Sequence, residues 1–199
     1  MKKLLEGILH VASVEEPDGF ALNSYLFAGE KWSLLIDPPP HSDALAKEVE
    51  PWRVEYILCT SKATFPDAVE WRSTLPGSKI VLHIWDAEDF GNKKGREVDR
   101  PYLHDFYMKE AVRVIHAPGA TPGSSVAVML NEPRVLFAGD LLHVDNGEVK
   151  RSAWFDGEMG AMTIEKIVSQ DWGFEYVLAR RTRGPTLPAR GSVGPLRLE

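Results

Sequence analysis

The feature that most constrains the fold of this chain is a series of short apolar runs separated by turns that contain glycine and proline. The first two runs, residues 8–14 and 22–27, are joined by a segment that contains Pro17 and Gly19, as in a β-hairpin. Later runs alternate with segments of helical spacing, such as residues 162–169. Hairpins followed by alternating strands and helices predict a layered α/β architecture with a mixed sheet.

The remaining predicted strands are apolar runs bounded by turn signals. Helices are predicted over residues 42–50, where Ser42 is the N-cap, and over residues 67–73. The stretch 91–105 is charged and is predicted to be a loop. The further strands are predicted at residues 32–36, 54–59, 79–84, 112–115, 125–130, 134–137 and 176–178.

Length, charge and cysteine content narrow the classes of function. The 199 residues suffice for one domain, which we place at residues 1–183, before an irregular tail rich in glycine and proline at residues 184–199. The net charge of −6 gives no general attraction for nucleic acid or anionic membranes, so neither is a predicted partner.

The single cysteine, Cys59, excludes an internal disulfide and is interpreted as structural. Glu6 interrupts the apolar run of a signal peptide, so a cytoplasmic protein is expected.

Four landmarks occur in an order and spacing that is similar to the metallo-β-lactamase superfamily. They are NSY and LID at residues 23–25 and 35–37, ILCT at 57–60, PGATPGS at 118–124 and LFAGD at 136–140. The third matches the family's PGHTPGS motif at six of seven positions. The resemblance covers roughly residues 8–182. It implies an α/β fold, a four-layer αβ/βα sandwich of two mixed β-sheets, with metal ions held by loops at one edge.

The residues at the family's metal-ligand positions depart from this pattern. Only one of seven positions, the bridging carboxylate Asp140, is retained, whereas the glycines and prolines that shape the same loops remain. We therefore expect the fold without the family's di-metal centre. The resemblance places this vestigial site at Ser61, Ala63, Phe65, Pro66, Ala120, Asp140 and Arg181.

Zinc and iron are held by several imidazoles and carboxylates together, because these groups offset the dehydration of the cation. A lone carboxylate binds a metal weakly, and without a metal no water is activated to hydroxide near neutral pH. The sequence therefore predicts a protein without a cofactor. It would act as a non-catalytic binding or interaction module for an unknown small-molecule or protein partner, as a monomer or a homodimer. The alternative is a hydrolase with a rearranged mononuclear site, built from Asp140, His116 and His143, or a metal-free site near Asp140.

Asp140 is the most informative residue of the vestigial site, because a partly buried carboxylate without a metal must be solvated, paired or protonated. Arginine stays charged and presents a planar fork that fits a carboxylate. We predict an ion pair of Asp140 with Arg181 or Arg180 as first candidates and with Lys62 as the second. A solvated Asp140, or one that caps a backbone turn, is the other interpretation. The aromatic pair at residues 154–155 is a candidate for a pocket lining or a dimer contact.

Overall fold

The computed structural model describes residues 1–90, 98–152, 157–169, 173–184 and 189–190. The chain begins with hairpins and continues with strands that alternate with helices. This first half consists of β1 (Lys2–Leu5), β2 (Ile8–Glu15), β3 (Ala21–Ala28), β4 (Ser33–Ile36), α1 (Asp43–Val49), β5 (Val54–Leu58), α2 (Phe65–Thr74), β6 (Lys79–His83), α3 (Ile84–Ala87) and β7 (Arg100–Tyr102). The second half consists of β8 (Phe106–Met108), β9 (Val112–His116), β10 (Ser125–Met129), β11 (Val135–Asp145), β12 (Glu148–Arg151), α4 (Gly157–Ser169), β13 (Tyr176–Arg183) and β14 (Ala189–Arg190).

The described strands form one mixed sheet that is curled on itself. In the first half β4 to β7 run parallel, because helical crossovers connect parallel strands, whereas β8 to β11 in the second half are antiparallel. The halves join where β13 pairs with β3 over two residues, Arg181 opposite Leu22 and Thr182 opposite Ala21. The two sheets expected from the sequence are therefore continuous through this short seam.

Apolar residues on both faces of each half produce the layers. Leu34 of β4 and Val114 of β9 belong to one buried cluster between the halves, whereas Leu35 packs with residues of α1 and α2. On the other outer face, Leu136 of β11 packs with Ile164 of α4. Because successive strand residues face opposite sides, strands that are apolar throughout must be covered on both faces. The predicted four-layer αβ/βα sandwich is confirmed.

Most predicted elements are present with shifted boundaries. Ser42 is the N-cap of α1, and its hydroxyl accepts a hydrogen bond of 3.3 Å from the Leu45 amide. The structure differs at β7, which lies in the stretch predicted to be a loop, and at β14, which lies in the tail predicted to be irregular. It also has β1, β8, β12 and α3, which the sequence did not predict. These elements are two to four residues long, too short to show a periodic pattern, so their formation depends on long-range pairing and packing. Residues 91–97, 185–188 and 191–199 lie outside the described residues. No described helix is long and apolar enough to cross a membrane.

Candidate functional site

The ends of several strands meet at one edge of the sandwich, and the sequence landmarks lie there. Asp37 follows β4, Thr60 follows β5, residues 117–124 connect β9 to β10, and Asp140 lies within β11. The Ser125 amide donates a hydrogen bond of 2.8 Å to the Thr60 carbonyl, which joins the two halves at this edge. Loops from both halves of the sandwich therefore surround one site.

Asp37 is almost fully buried beneath this edge. Its carboxylate accepts hydrogen bonds from the Thr60 amide at 2.8 Å, the Thr60 hydroxyl at 2.7 Å and the Thr64 hydroxyl at 3.2 Å. Burial raises the pKa of Asp37 to about 6, and Asp140 adds to the increase, whereas the Arg180 guanidinium opposes it. The three hydrogen bonds fix the backbone that follows β5.

Asp140 and Arg180 form an ion pair at the centre of the edge. Arg180 Nη1 donates to Asp140 Oδ1 at 2.8 Å, and the Ser61 hydroxyl donates to Asp140 Oδ2 at 3.0 Å. The two side chains are only 14% and 12% exposed, so the pair is largely withdrawn from solvent. Burial opposes the charge on Arg180, but the carboxylates of Asp140 and Asp37 outweigh it and raise the pKa of the guanidinium. Arg180 therefore stays charged beside Asp140.

Arg181, which the resemblance placed in the vestigial site, has other partners. Its Nε donates to Glu16 at 3.0 Å, its Nη2 pairs with Asp18, and its guanidinium carbon lies 4.1 Å from the ring centre of Phe20. These contacts lie at the turn between β2 and β3. Successive residues of a strand point to opposite faces, so Arg180 and Arg181 do not reach the same site. The position assigned to Arg181 is therefore corrected to Arg180.

Lys62, the second predicted partner of Asp140, contributes its backbone to the edge and not its ammonium group. The ammonium group pairs with Asp89. The Lys62 amide donates to Asp86 Oδ2 at 2.8 Å, and the same carboxylate accepts from the Thr121 hydroxyl at 2.6 Å and from the Gly123 amide at 2.8 Å. Asp86 is fully buried. It therefore bridges the loop after β5 and the loop after β9.

No sequence motif points to Asp86. The available signal is its place just after the buried strand β6, because a carboxylate there needs hydrogen-bond donors. A Cβ atom on Gly123 would lie 2.6 Å from Asp86 Cγ, so only glycine permits this contact. Gly139 has a φ of +53°, and a Cβ there would lie 2.6 Å from Thr60 Oγ1. Both motif glycines thus allow close approach between the loops.

The loop after β5 carries four of the family's ligand positions, and here it packs the core and starts a helix. Phe65 is buried, and its ring centre lies 4.3 Å from that of Phe90. Pro66 lies in the first turn of α2, where its missing N–H is not required. Ala63 and Ala120 have no polar side-chain atom. These positions supply packing and backbone shape in place of metal donors.

The described residues do not fit a di-metal centre. Within the described part of the chain, no group of three or more His, Cys, Asp or Glu side chains is arranged to hold a metal ion. The alternative ligand set of Asp140, His116 and His143 is not brought together. His116 stacks on His83, whereas His143 follows a register shift in β11 and lies with its ring centre 5.5 Å from that of Phe20.

Cys59 lies in the apolar layer beneath α1 and α2 and is fully buried. Burial raises the pKa of its thiol, so the reactive thiolate is disfavoured. This environment is that of a structural cysteine. The aromatic pair at residues 154–155 lies outside the described residues.

No protein-family model and no curated protein matches the chain. Solved structures do match. A metallo-β-lactamase from Cronobacter sakazakii, a HARLDQ-motif mutant, aligns with a TM-score of 0.64 at 14% identity, over 90% of this chain and 79% of that chain. A quorum-quenching N-acyl homoserine lactone hydrolase gives 0.65 at 15% identity, over 91% and 92%. A B. thuringiensis AiiA mutant with N-decanoyl-L-homoserine bound at its active site gives 0.66 at 14% identity, over 91% and 93%.

The chain therefore has the metallo-β-lactamase fold, as its sequence landmarks predict. At this level of identity the likeness is one of fold. Function is carried by sites and not by folds, so it must be argued from the side chains at the strand-end edge.

Proposed function

We propose that this protein is a binding or interaction module with the metallo-β-lactamase fold that does not use a di-metal hydrolytic mechanism. The ion pair between Arg180 and Asp140 is the observation that carries the proposal. By the family resemblance Asp140 is the carboxylate that bridges the metals, and here a guanidinium nitrogen lies 2.8 Å from its Oδ1. The side chains at the other ligand positions add no imidazole to it.

An arginine in this place competes with any metal ion for Asp140. A metal that binds the carboxylate must displace a guanidinium that is largely buried, and it then leaves that charge without its partner. One carboxylate and the hydroxyl of Ser61 are too few donors to offset such a loss. A site without metal ligands has no means of lowering the pKa of water to near neutral, so the hydrolysis typical of the fold is not expected.

The proposed binding site is the strand-end edge. Loops that are held by a rigid scaffold are a common place for ligands, and the B. thuringiensis structure binds N-decanoyl-L-homoserine at its active site. In this chain Asp37 and Asp86 hold the loops by hydrogen bonds, which preorganises the edge. We propose a small-molecule or protein partner, because a net charge of −6 disfavours nucleic acid and anionic membranes. A cytoplasmic location and a homodimer remain predictions.

Turnover assays test this proposal. Protein supplied in turn with zinc, iron or manganese is expected to hydrolyse lactone, thioester, phosphoester and β-lactam substrates no faster than buffer does. Asp140→Asn is the matched control, because it keeps the shape of the side chain and removes its charge. Turnover well above that of buffer, abolished by Asp140→Asn, would contradict the proposal.

One observation favours a second function, hydrolysis at a rearranged or metal-free site near Asp140. The Ser61 hydroxyl donates to Asp140 Oδ2 at 3.0 Å, which places a hydroxyl beside a carboxylate. Against it, Ser61 is only 1% exposed, and the Arg180 guanidinium already engages Asp140. Activity that survives a chelator and disappears in Ser61→Ala would establish this function in place of the binding module.

A further inference from the structure

Two histidines from different halves of the sandwich stack beside residues 117–124, which we call the PG loop. His83 ends β6 and His116 ends β9, and their ring centres lie 4.0 Å apart with planes inclined by 9°. His83 is fully buried. The ring of Trp85, which is exposed, contacts both imidazoles edge-on, at 5.2 Å from His83 and 5.0 Å from His116. The stack therefore joins the end of β6 to the start of the PG loop.

Both ring nitrogens of His83 are engaged when the ring is neutral. Nδ1 accepts a hydrogen bond of 3.3 Å from the Trp85 amide, which caps α3, and Nε2 donates to the Leu103 carbonyl at 3.2 Å. These contacts place the proton of the neutral ring on Nε2. A second proton must go to Nδ1, where it breaks the cap. Burial and the neighbouring His116 both lower the pKa of His83.

His116 connects the stack to the PG loop. Its Nε2 donates to the Pro122 carbonyl at 2.8 Å, and its Nδ1 has no hydrogen-bond partner among the described residues. Its backbone is fixed on both sides, because the amide donates to Asp105 at 2.9 Å and the carbonyl accepts from Lys166 at 3.1 Å. A proton on His116 Nδ1 would therefore break no hydrogen bond among the described residues.

Among the described residues, neither carboxylate beside the stack is free to neutralise a second charge. Asp86 already accepts three hydrogen bonds, and Asp105 is shared by Arg113 and Lys166. Two positive imidazoles in contact would repel each other strongly. The charged and titratable groups that face the pair are Asp86 on α3, Tyr102 on β7, His104 and Asp105 between β7 and β8, Arg113 on β9 and Lys166 on α4.

We propose that the stack of His83 and His116 is a pH-sensitive latch on the PG loop. One proton, on His116 Nδ1, leaves every contact of the stack intact. A second proton breaks the cap at Trp85 and places two like charges in contact, so the rings separate and the hydrogen bond from His116 to Pro122 is lost. The latch is closed at neutral pH and opens in mildly acidic solution.

Opening would also loosen the second attachment of the PG loop. The cap at Trp85 fixes the start of α3, and Asp86 lies in that first turn. Loss of the cap therefore weakens the hold of Asp86 on Thr121 and Gly123. The consequence for ligand binding rests on the proposed function, because the PG loop borders the proposed site. The opening of the latch does not rest on the proposed function, so its test requires no ligand.

Amide hydrogen exchange of the full chain at about pH 7 and about pH 5, corrected for intrinsic rates, tests the latch. In the wild-type protein, protection of the Trp85 and Gly123 amides is expected to fall at least about tenfold at the lower pH, while amides of β10 stay protected. His83→Gln offers an amide oxygen to the Trp85 N–H and cannot be charged, so it should lose this pH dependence. His104→Gln removes a neighbouring exposed histidine outside the stack and should behave like the wild type.

Protection that does not change with pH in the wild type would overturn the latch, as would an equal loss in His83→Gln. An NMR titration of the ring C–H resonances of the wild type gives a check that needs no variant. The His83 ring should take up its proton below the ordinary imidazole value of 6.5, over the same pH range in which the Trp85 and Gly123 amides lose protection. A His83 midpoint at or above 6.5 would overturn the proposal.

Discussion

Arg180 and Arg181 are neighbours on β13, yet they serve two different regions of the molecule. Arg180 faces the strand-end edge and pairs with Asp140, and both of these side chains are largely buried. Arg181 faces the turn between β2 and β3, where its partners Glu16 and Asp18 are 32% and 53% exposed. The two arginines have the same chemistry, so the alternation of the strand determines their roles. A shift of one residue in register would exchange the ion pair of the edge for pairs with more exposed carboxylates.

The largest effect is expected from Arg180→Ala, which leaves a partly buried carboxylate at Asp140 without its partner. The free energy of unfolding should fall by about 3 kcal/mol. The double variant with Asp140→Ala should be more stable than Arg180→Ala alone, because removal of both partners leaves no unpaired charge. Urea denaturation of the wild type, both single variants and the double variant measures the coupling. Purely additive effects would show that water, and not Arg180, satisfies Asp140.

The pKa of Asp37 also distinguishes the roles of Arg180 and Arg181. Its folded pKa of about 6 lies above the ordinary value of 3.8, so the folded state holds this proton more tightly than the unfolded state. Its contribution to stability, about 2–3 kcal/mol, is fully present below about pH 3.8 and is lost as the pH rises through about 6. Arg180 opposes the increase, so Arg180→Ala should raise the pKa of Asp37 further.

Arg181→Ala, in contrast, should leave the pKa of Asp37 unchanged, because Arg181 faces the other region. Carbon-13 NMR of the Asp37 carboxyl group over the acidic range measures the midpoint in the wild type and in both variants. An equal shift in the two variants would contradict the assignment of the arginines to separate regions.

The smallest effect is expected from Arg181→Ala on stability. Its carboxylate partners are partly solvated, so the loss should be about 1 kcal/mol, including the contact with Phe20. High salt should reduce this difference, whereas the largely buried pair of Arg180 should be less sensitive. Urea denaturation at low and high salt measures the free energy of unfolding of both variants. A loss as large as that of Arg180→Ala would remove the distinction between the two regions.

The fold could be predicted from the sequence because its signals are local and repeated. β10 and β11 begin as apolar runs joined by a short turn, and the Gly139-Asp140 landmark places the middle of β11 at the site. The choice between Arg180 and Arg181 could not be made, since a one-residue uncertainty in alignment inverts the faces of a strand.

Other parts of the site are joined only by the tertiary structure. His83 and His116 lie on strands of different halves, and no local pattern predicts that their rings stack. Asp86 is likewise defined by donors from two distant loops, at Lys62 and at Gly123. Contacts of high sequence separation depend on strand order, which periodicity does not specify.

Elemental analysis of the protein purified without a chelator, beside Asp140→Ala and Arg180→Ala, tests most directly whether the Arg180–Asp140 pair stands in place of a metal centre. The expected result is well under one zinc, iron or manganese ion per chain in the wild type, because Arg180 already neutralises Asp140 and the described residues bring too few other ligands together. Stoichiometric metal in the wild type that is lost in Asp140→Ala would contradict this conclusion.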